Sequence, residues 1–266
     1  MHYLTGVIMK RASLLFLVLS SLWSVGSYAA KDDTIRIGVD ATFAPFEFTK
    51  PDGSLSGFEI DLGNAICKEI QKKCEWVPSN FDGLIPSLNV NRIDAVMSSL
   101  GVSEKRRKQV LFTDIVWTGF SSMLSRADLH LQPTVESLKG KVIGVQQGTM
   151  QEHYVRERFA NHGVQVQTYQ DQDQVYADLI NGRIDVSFQD MLQAQFDFID
   201  AGKHSDFTNL RVEDKLLPAD SAIAVKKGNE KLVALFNDGL KKIHADGTYN
   251  RIQRQYFGDL NLYRGQ

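Results

Sequence analysis

Apolar and polar residues alternate along residues 34–40 (TIRIGVD), placing Ile35, Ile37 and Val39 on one face and ending at Asp40. That period predicts a strand. Phe43, Pro45, Phe46 and Phe48 follow, and Pro51-Asp52-Gly53 reads as a turn. The spacing lengthens over 58–72, where Leu62, Ala65, Ile66 and Ile70 form one helical stripe. Residues 74–77 predict a strand, 81–88 a short helix, and 92–99 a buried strand running into Ser98 and Ser99. Beyond Gly101, Ser103 is a candidate N-cap with Glu104 in the first turn of a short basic helix. The second half repeats the rhythm. A helical turn at 134–138 stops at Gly140; a strand at 141–146 breaks at Gly148 and re-forms as a helix over 149–160. A strand at 164–169, a helix at 173–179 and a strand at 184–189 ending at Asp190 complete it. From Asn229 the tail is helical, with Leu232, Leu235, Phe236 and Leu240 on one stripe; Gly247 ends that helix and Thr248 opens a last one through Tyr256.

Two short phrases recur in the same order. IRIGVD at 35–40 is echoed by KVIGVQ at 141–146, and NRIDAV at 91–96 by GRIDVS at 182–187. The echo predicts two α/β lobes of like topology, and helices alternating with strands predict mostly parallel sheets. Ligands of such sheets bind beyond the carboxyl ends of the strands. Those ends carry Asp40, Ser98-Ser99, residues 146–151 and Gln189-Asp190, which a cleft between two lobes brings together.

The chemistry at those ends is that of a grip rather than a reaction. The chain has no G-x-S-x-G, Walker A or G-x-G-x-x-G, and no histidine at a predicted strand end to serve Ser98 or Ser99. It offers one cation (Arg106), hydroxyls and amides (Ser98, Ser99, Thr149, Gln151) and anions (Asp40, Asp190). An Arg fork matches a carboxylate, so the set suits a zwitterion, with Phe43 and Phe81 as an apolar face for its side chain. Each residue also has a plain structural use: Arg106 in a solvated basic helix, Phe81 in a core, Asp190 as an N-cap.

Composition narrows the class. A net charge of -2 with no basic stripe argues against a nucleic-acid binder, and six scattered histidines indicate no metal site. Lys10-Arg11, an apolar run from Leu14 and the small residues near Ala29 and Ala30 read as an export signal over 1–29, for which Met9 is an alternative start. Two cysteines, Cys67 and Cys74, in an exported chain are expected to pair.

With those residues in view, the chain resembles the exported amino-acid-binding proteins of ABC importers (solute-binding protein family 3), the lysine/arginine/ornithine and histidine binders above all. The matching words include IRIGVDATFAPF at 35–46, GFEIDL at 57–62, FDGLIPSL at 81–88, IDAVMSSL at 93–100, EKR at 104–106, QPTVESLKGK at 132–141 and DGTY at 246–249. The resemblance implies a two-lobed periplasmic-binding-protein fold of type II. Lobe 1 is 31–118 with the returning 219–266, lobe 2 is 119–218, and a two-crossing hinge joins them. It implies that Arg106 holds an α-carboxylate, helped by backbone N–H near Gly101 and by Thr149. Asp190 and the Ser99 carbonyl take an α-ammonium. Asp40, Ser98, Gln151 and Glu59 face the side chain between Phe43 and Phe81. The Cys67–Cys74 pair falls where those relatives carry a disulfide. The expected protein is a periplasmic monomer that binds a polar, basic amino acid and serves a membrane permease, with no enzyme activity and no cofactor. Gly101 stands where a serine is usual, Gln146 where an apolar residue is usual, and 216–226 is unlike the relatives. Three alternatives stay open: a same-fold prephenate/arogenate dehydratase, a ligand-sensing module feeding a receptor, and a binder of opine-type arginine derivatives using space at Gly101.

Overall fold

The computed structural model describes residues 34–263. The expected signal segment and its cleavage site lie outside them. Thirteen strands and nine α-helices follow in chain order among these residues. The first half runs β1 (Thr34–Val39), β2 (Thr42–Phe43), β3 (Glu47–Thr49), β4 (Leu55–Ser56), α1 (Phe58–Glu69), β5 (Lys73–Pro78), α2 (Leu84–Asn89), β6 (Ala95–Val96), α3 (Glu104–Arg107) and β7 (Val110–Thr118). Then come β8 (Ser121–Arg126), α4 (Val135–Leu138), β9 (Val142–Gln146), α5 (Met150–Arg158), β10 (Gln165–Tyr169), α6 (Gln172–Ile180), β11 (Val186–Asp190), α7 (Met191–Gln193) and β12 (Phe207–Val212). The chain closes with β13 (Asp220–Lys226), α8 (Glu230–Ala245) and α9 (Thr248–Phe257).

Two five-stranded sheets result, ordered β5-β1-β6-β13-β7 and β10-β9-β11-β8-β12. They are the same arrangement twice, and the echoed phrases explain why. In the first, Asp94 accepts the Arg36 N–H (2.9 Å) and pairs with the Arg36 guanidinium (2.9 Å), while its own N–H donates to the Arg36 carbonyl. In the second, Asp185 accepts the Val142 N–H (2.8 Å), pairs with Lys141 (3.4 Å) and donates its N–H to the Val142 carbonyl. Each aspartate extends a parallel ladder by satisfying an N–H at its start, a backbone donor that burial would otherwise strand. The glycine in each phrase is a packing requirement: a Cβ on Gly38 would run into Ile93, and one on Gly144 into Ile184. The expectation of mostly parallel sheets needs correcting. β13 runs antiparallel to β6 and β7, and β8 antiparallel to β11 and β12, because each sheet borrows a strand adjoining a crossing. The expected strand at 92–99 is also shorter. Only Ala95–Val96 forms the ladder, and Ser99 (φ 47°) turns the chain away.

Each sheet carries its own apolar packing. Ile37, Leu62, Ile66, Phe236, Leu240 and Ile243 are buried around the first, where α8 and α9 return to pack on α1. Ile143, Val145, Val155, Val186 and Phe188 are buried around the second. Cys67 and Cys74 form the expected disulfide, tying the end of α1 to β5. The chain passes between the sheets after Thr118 and again before Asp220. The two passages lie side by side: the Gly119 N–H donates to the Ala219 carbonyl (2.9 Å), and the Thr118 hydroxyl to Asp220 (2.9 Å).

Candidate ligand-binding site

The strand ends of both sheets open on one cavity. Asp40 follows β1, Ser98 and Ser99 follow β6, Thr149 caps α5 after β9, and Asp190 ends β11 and caps α7. Ten of the eleven expected ligand residues line it: Asp40, Phe43, Phe81, Ser98, Ser99, Gly101, Arg106, Thr149, Gln151 and Asp190.

Arg106 lies on α3, whose start is capped by the Ser103 side chain as expected. Its guanidinium is buried, with Nη1 donating to the Gly101 carbonyl (2.8 Å), Nη2 to the Gly148 carbonyl (3.1 Å), and its carbon 5.3 Å from the centre of the Phe81 ring. Among the described residues no carboxylate pairs with it. Burial alone lowers its pKa to about 10, which leaves it charged. Across the cavity, Asp190 Oδ1 accepts the Leu192 N–H (2.8 Å) and the Gln193 N–H (3.0 Å), so the cap takes one oxygen and leaves Oδ2 without a donor. Burial raises Asp190 to about 7 against those two bonds. Asp40 accepts the Thr42 hydroxyl on Oδ1 (2.9 Å) and the Gln146 amide on Oδ2 (2.7 Å). Burial pushes its pKa up, and those bonds act the other way.

Glu59 is the exception. It does not face a ligand side chain. It stands behind the wall, buried, with Oε2 accepting the Ser99 N–H (2.8 Å) and Oε1 the Trp117 indole N–H (2.6 Å). Its burial raises it to about 7. The carboxylate that lines the cavity beside Ser99 is Glu47, which accepts the Ser99 hydroxyl (3.1 Å) and whose Oε1 meets no donor. Burial, and the neighbouring Glu59, hold Glu47 well above the usual carboxylate range. Trp117, Phe120, Gln146, Met150 and Gln193 also line the cavity. Gly101 opens no vacancy: a Cβ there would strike the Met150 methyl, which already fills the space. That methyl is the far end of a flexible side chain, so space beside Gly101 depends on where Met150 lies. At Gly148 (φ 80°) a Cβ would come within 2.9 Å of the Asp82 backbone, so the two walls meet there at main-chain distance.

A profile described as bacterial extracellular solute-binding proteins, family 3, matches residues 35–259. The chain belongs to that family. This solute-binding protein is 42% identical to the lysine/arginine/ornithine-binding periplasmic protein of Escherichia coli K12, over 96% of this chain and 99% of that one. It is 41% identical to the histidine-binding periplasmic protein of the same strain, over 94% of this chain and 97% of that one. Its fold matches an ancestral arginine-binding protein solved with arginine, at a TM-score of 0.80 and 32% identity, over 85% of this chain and 99% of that one. The two sheets are thus the two lobes of a periplasmic-binding-protein fold. Relatives named as binding proteins, not enzymes, surround this solute-binding protein, and the family places it outside the cytoplasm.

The lobes touch through polar side chains around the cavity of this solute-binding protein. Besides Gln146 on Asp40, Gln147 donates to Asp82 (2.9 Å), Asn80 to Gln170 (3.2 Å) and Gln193 to the Thr42 carbonyl (3.4 Å). No metal-ligating cluster and no helix able to cross a membrane occur among the described residues.

Proposed function

We propose that this protein captures a basic amino acid, L-arginine first and lysine, ornithine and histidine next, and delivers it to the membrane permease of an ABC importer. The charge balance of the cavity carries this reading. One buried guanidinium without a counter-ion stands against two buried carboxylates, Asp40 and Asp190, while Glu47, held well above the usual carboxylate range by burial and Glu59, stays out of that balance. A buried charge is tolerated only when paired. A neutral zwitterion brings one charge of each sign and leaves the excess of anions in place; a basic amino acid brings one anion and two cations. Arg106 then takes the α-carboxylate, Asp190 Oδ2 the α-ammonium with the Ser99 carbonyl, and Asp40 the side-chain cation, flanked by Phe43 and Phe81. Ser98, Gln151 and Thr149 supply hydrogen bonds. The names of the relatives support the class.

Lobe 1 comprises residues 31–118 and 219–266, lobe 2 residues 119–218, and the paired passages at 118–120 and 214–219 are the hinge. Ligand favours the closed form by the contacts it makes only there, and the closed monomer presents both lobes to the permease in the periplasm, after removal of 1–29. Calorimetry with arginine, lysine, histidine, glutamine, glutamate and octopine tests this. Arginine is expected to bind tightest; tight glutamate or glutamine binding with no response to arginine rejects it.

Affinity should also climb with pH. Free Asp190 holds its proton up to about 7 because it is buried, whereas an ammonium on Oδ2 favours the carboxylate. Binding therefore expels a proton, and affinity falls about tenfold per unit below that value. Between pH 8 and pH 5 the loss comes to roughly a hundredfold. Glu47 and Tyr176, both within electrostatic reach of Asp190, are pushed upward by burial. Affinity flat from pH 5 to 8 would show that Asp190 does not meet the ligand's cation.

A further inference from the structure

We propose that Gln146 is a specificity-determining residue that shapes Asp40 into a receptor for a planar guanidinium in preference to an ammonium. The inference rests on the basic-amino-acid reading and sharpens it. Gln146 ends β9 in the second lobe and reaches across to the first, where its amide Nε2 donates to Asp40 Oδ2 (2.7 Å) and also meets the Gln170 carbonyl (3.2 Å). Two acceptors on Nε2 fix which way the amide points, and Thr149, donating its hydroxyl to the Gln146 carbonyl (2.7 Å), holds the backbone. On the other oxygen of Asp40 the Thr42 hydroxyl donates to Oδ1 (2.9 Å). Asp40 itself is held in place by its N–H, which donates to Ser98 Oγ (2.9 Å).

An ionised carboxylate accepts at about four lone-pair positions, two on each oxygen. Thr42 and Gln146 fill one on each, and the Phe81 N–H also bears on this carboxylate. With a donor already on each oxygen, neither keeps both of its positions open. That suits a guanidinium fork, which asks for only one N–H···O bond from each oxygen. An ammonium is a compact point charge with three diverging donors. It gains most from a carboxylate oxygen with both positions open and from a second acceptor off to the side. By occupying Oδ2 from the opposite lobe, Gln146 takes that option away while favouring the carboxylate form of Asp40 against its burial and holding it aligned. An apolar residue at 146 would give Oδ2 its second position back and remove the discrimination.

The test is calorimetry of wild type, Gln146→Leu and Thr42→Val with L-arginine and L-lysine, each variant's fold checked by thermal melting. Wild type should favour arginine by about tenfold, the worth of one charge-assisted hydrogen bond. Gln146→Leu should shrink that ratio by about fivefold or more, chiefly through tighter lysine binding, and Thr42→Val should act in the same direction through Oδ1. Thr42→Val carries the test alone if Gln146→Leu fails to fold. Wild-type preference for lysine overturns the proposal. So does an unchanged ratio in the variants, including the case in which both ligands weaken equally, because Gln146 would then be a contact of closure without selectivity. Those outcomes leave the basic-amino-acid reading standing. Failure of wild type to bind arginine or lysine defeats that reading itself, and the role of Gln146 with it.

Discussion

Arg106→Ala should weaken ligand binding by two to nearly four orders of magnitude without harming the fold. Arg106 enters the cavity as a buried cation whose bonds go to two carbonyls and whose flat face lies over Phe81. No carboxylate of the described residues offsets it, so on the proposed reading the ligand's own carboxylate would be its counter-ion. Removing one member of such a desolvated pair costs about 3–5 kcal/mol, and each 1.4 kcal/mol or so is a factor of about ten. The protein sheds an uncompensated buried charge but also two hydrogen bonds to carbonyls and a face packed on Phe81, so its melting temperature should change little. Arg106→Lys keeps the charge but not the fork, and should fall between the two. Calorimetry and thermal melting of the three proteins, free and with arginine, give both numbers. Near-wild-type affinity in Arg106→Ala rules out the anchor.

Asp190→Asn isolates charge from structure at the other end of the ligand. The carboxylate does two things: Oδ1 caps α7 through the Leu192 and Gln193 N–H groups, and Oδ2 is free. Asparagine caps about as well as aspartate, so α7 should survive while the partner of the α-ammonium disappears. A loss of roughly a hundredfold or more is expected. Asp190→Ala should lose as much affinity and about 1 kcal/mol of stability besides, through the missing cap. In Asp190→Asn the rise of affinity from pH 5 to 7 should vanish, since the titrating group is gone. The stability of the empty protein should change its pH dependence too. Asp190 and Glu59, both lifted to about 7, stabilise the fold at acid pH, and that contribution is lost as pH climbs from their unfolded values through 7. The Asn variant removes one of the two. A pH profile identical to wild type would count against Asp190 as the ammonium partner.

Much of this site could be read from the chain because its parts are local. Asp40, Ser98, Gln146 and Asp190 each stand at or just past a strand that its own periodicity announces. The aspartates at 94 and 185 were visible only as an echo; their work on the Arg36 and Val142 N–H groups needed the ladder itself. The strands adjoining the crossings carry no such pattern. In β8 the sequence SSMLSR puts serines where alternation calls for apolar residues, yet Ser122 and Ser125 are wholly buried. The place of Glu59 behind the cavity wall is hidden for a different reason. Its position in the first turn of α1 was legible, but Trp117, 58 residues away, takes its Oε1, and no local pattern reports that distance. Glu47 hid between two phenylalanines in a short ribbon that reads as surface. Met150 followed a recognisable cap, yet its contact with Gly101 joins the two lobes and so belongs to neither segment alone.

The close approach at Gly148 bears on time rather than on strength. Residue 148 is not among those that line the cavity, but its main chain stands against Asp82 of the other lobe, with no room for a Cβ between them. A side chain at that position would act as a doorstop, leaving the halves ajar while every solute-facing group stayed in place. On the proposed reading, the time a solute stays enclosed should therefore depend in part on a hydrogen atom at Gly148, a residue outside the cavity lining.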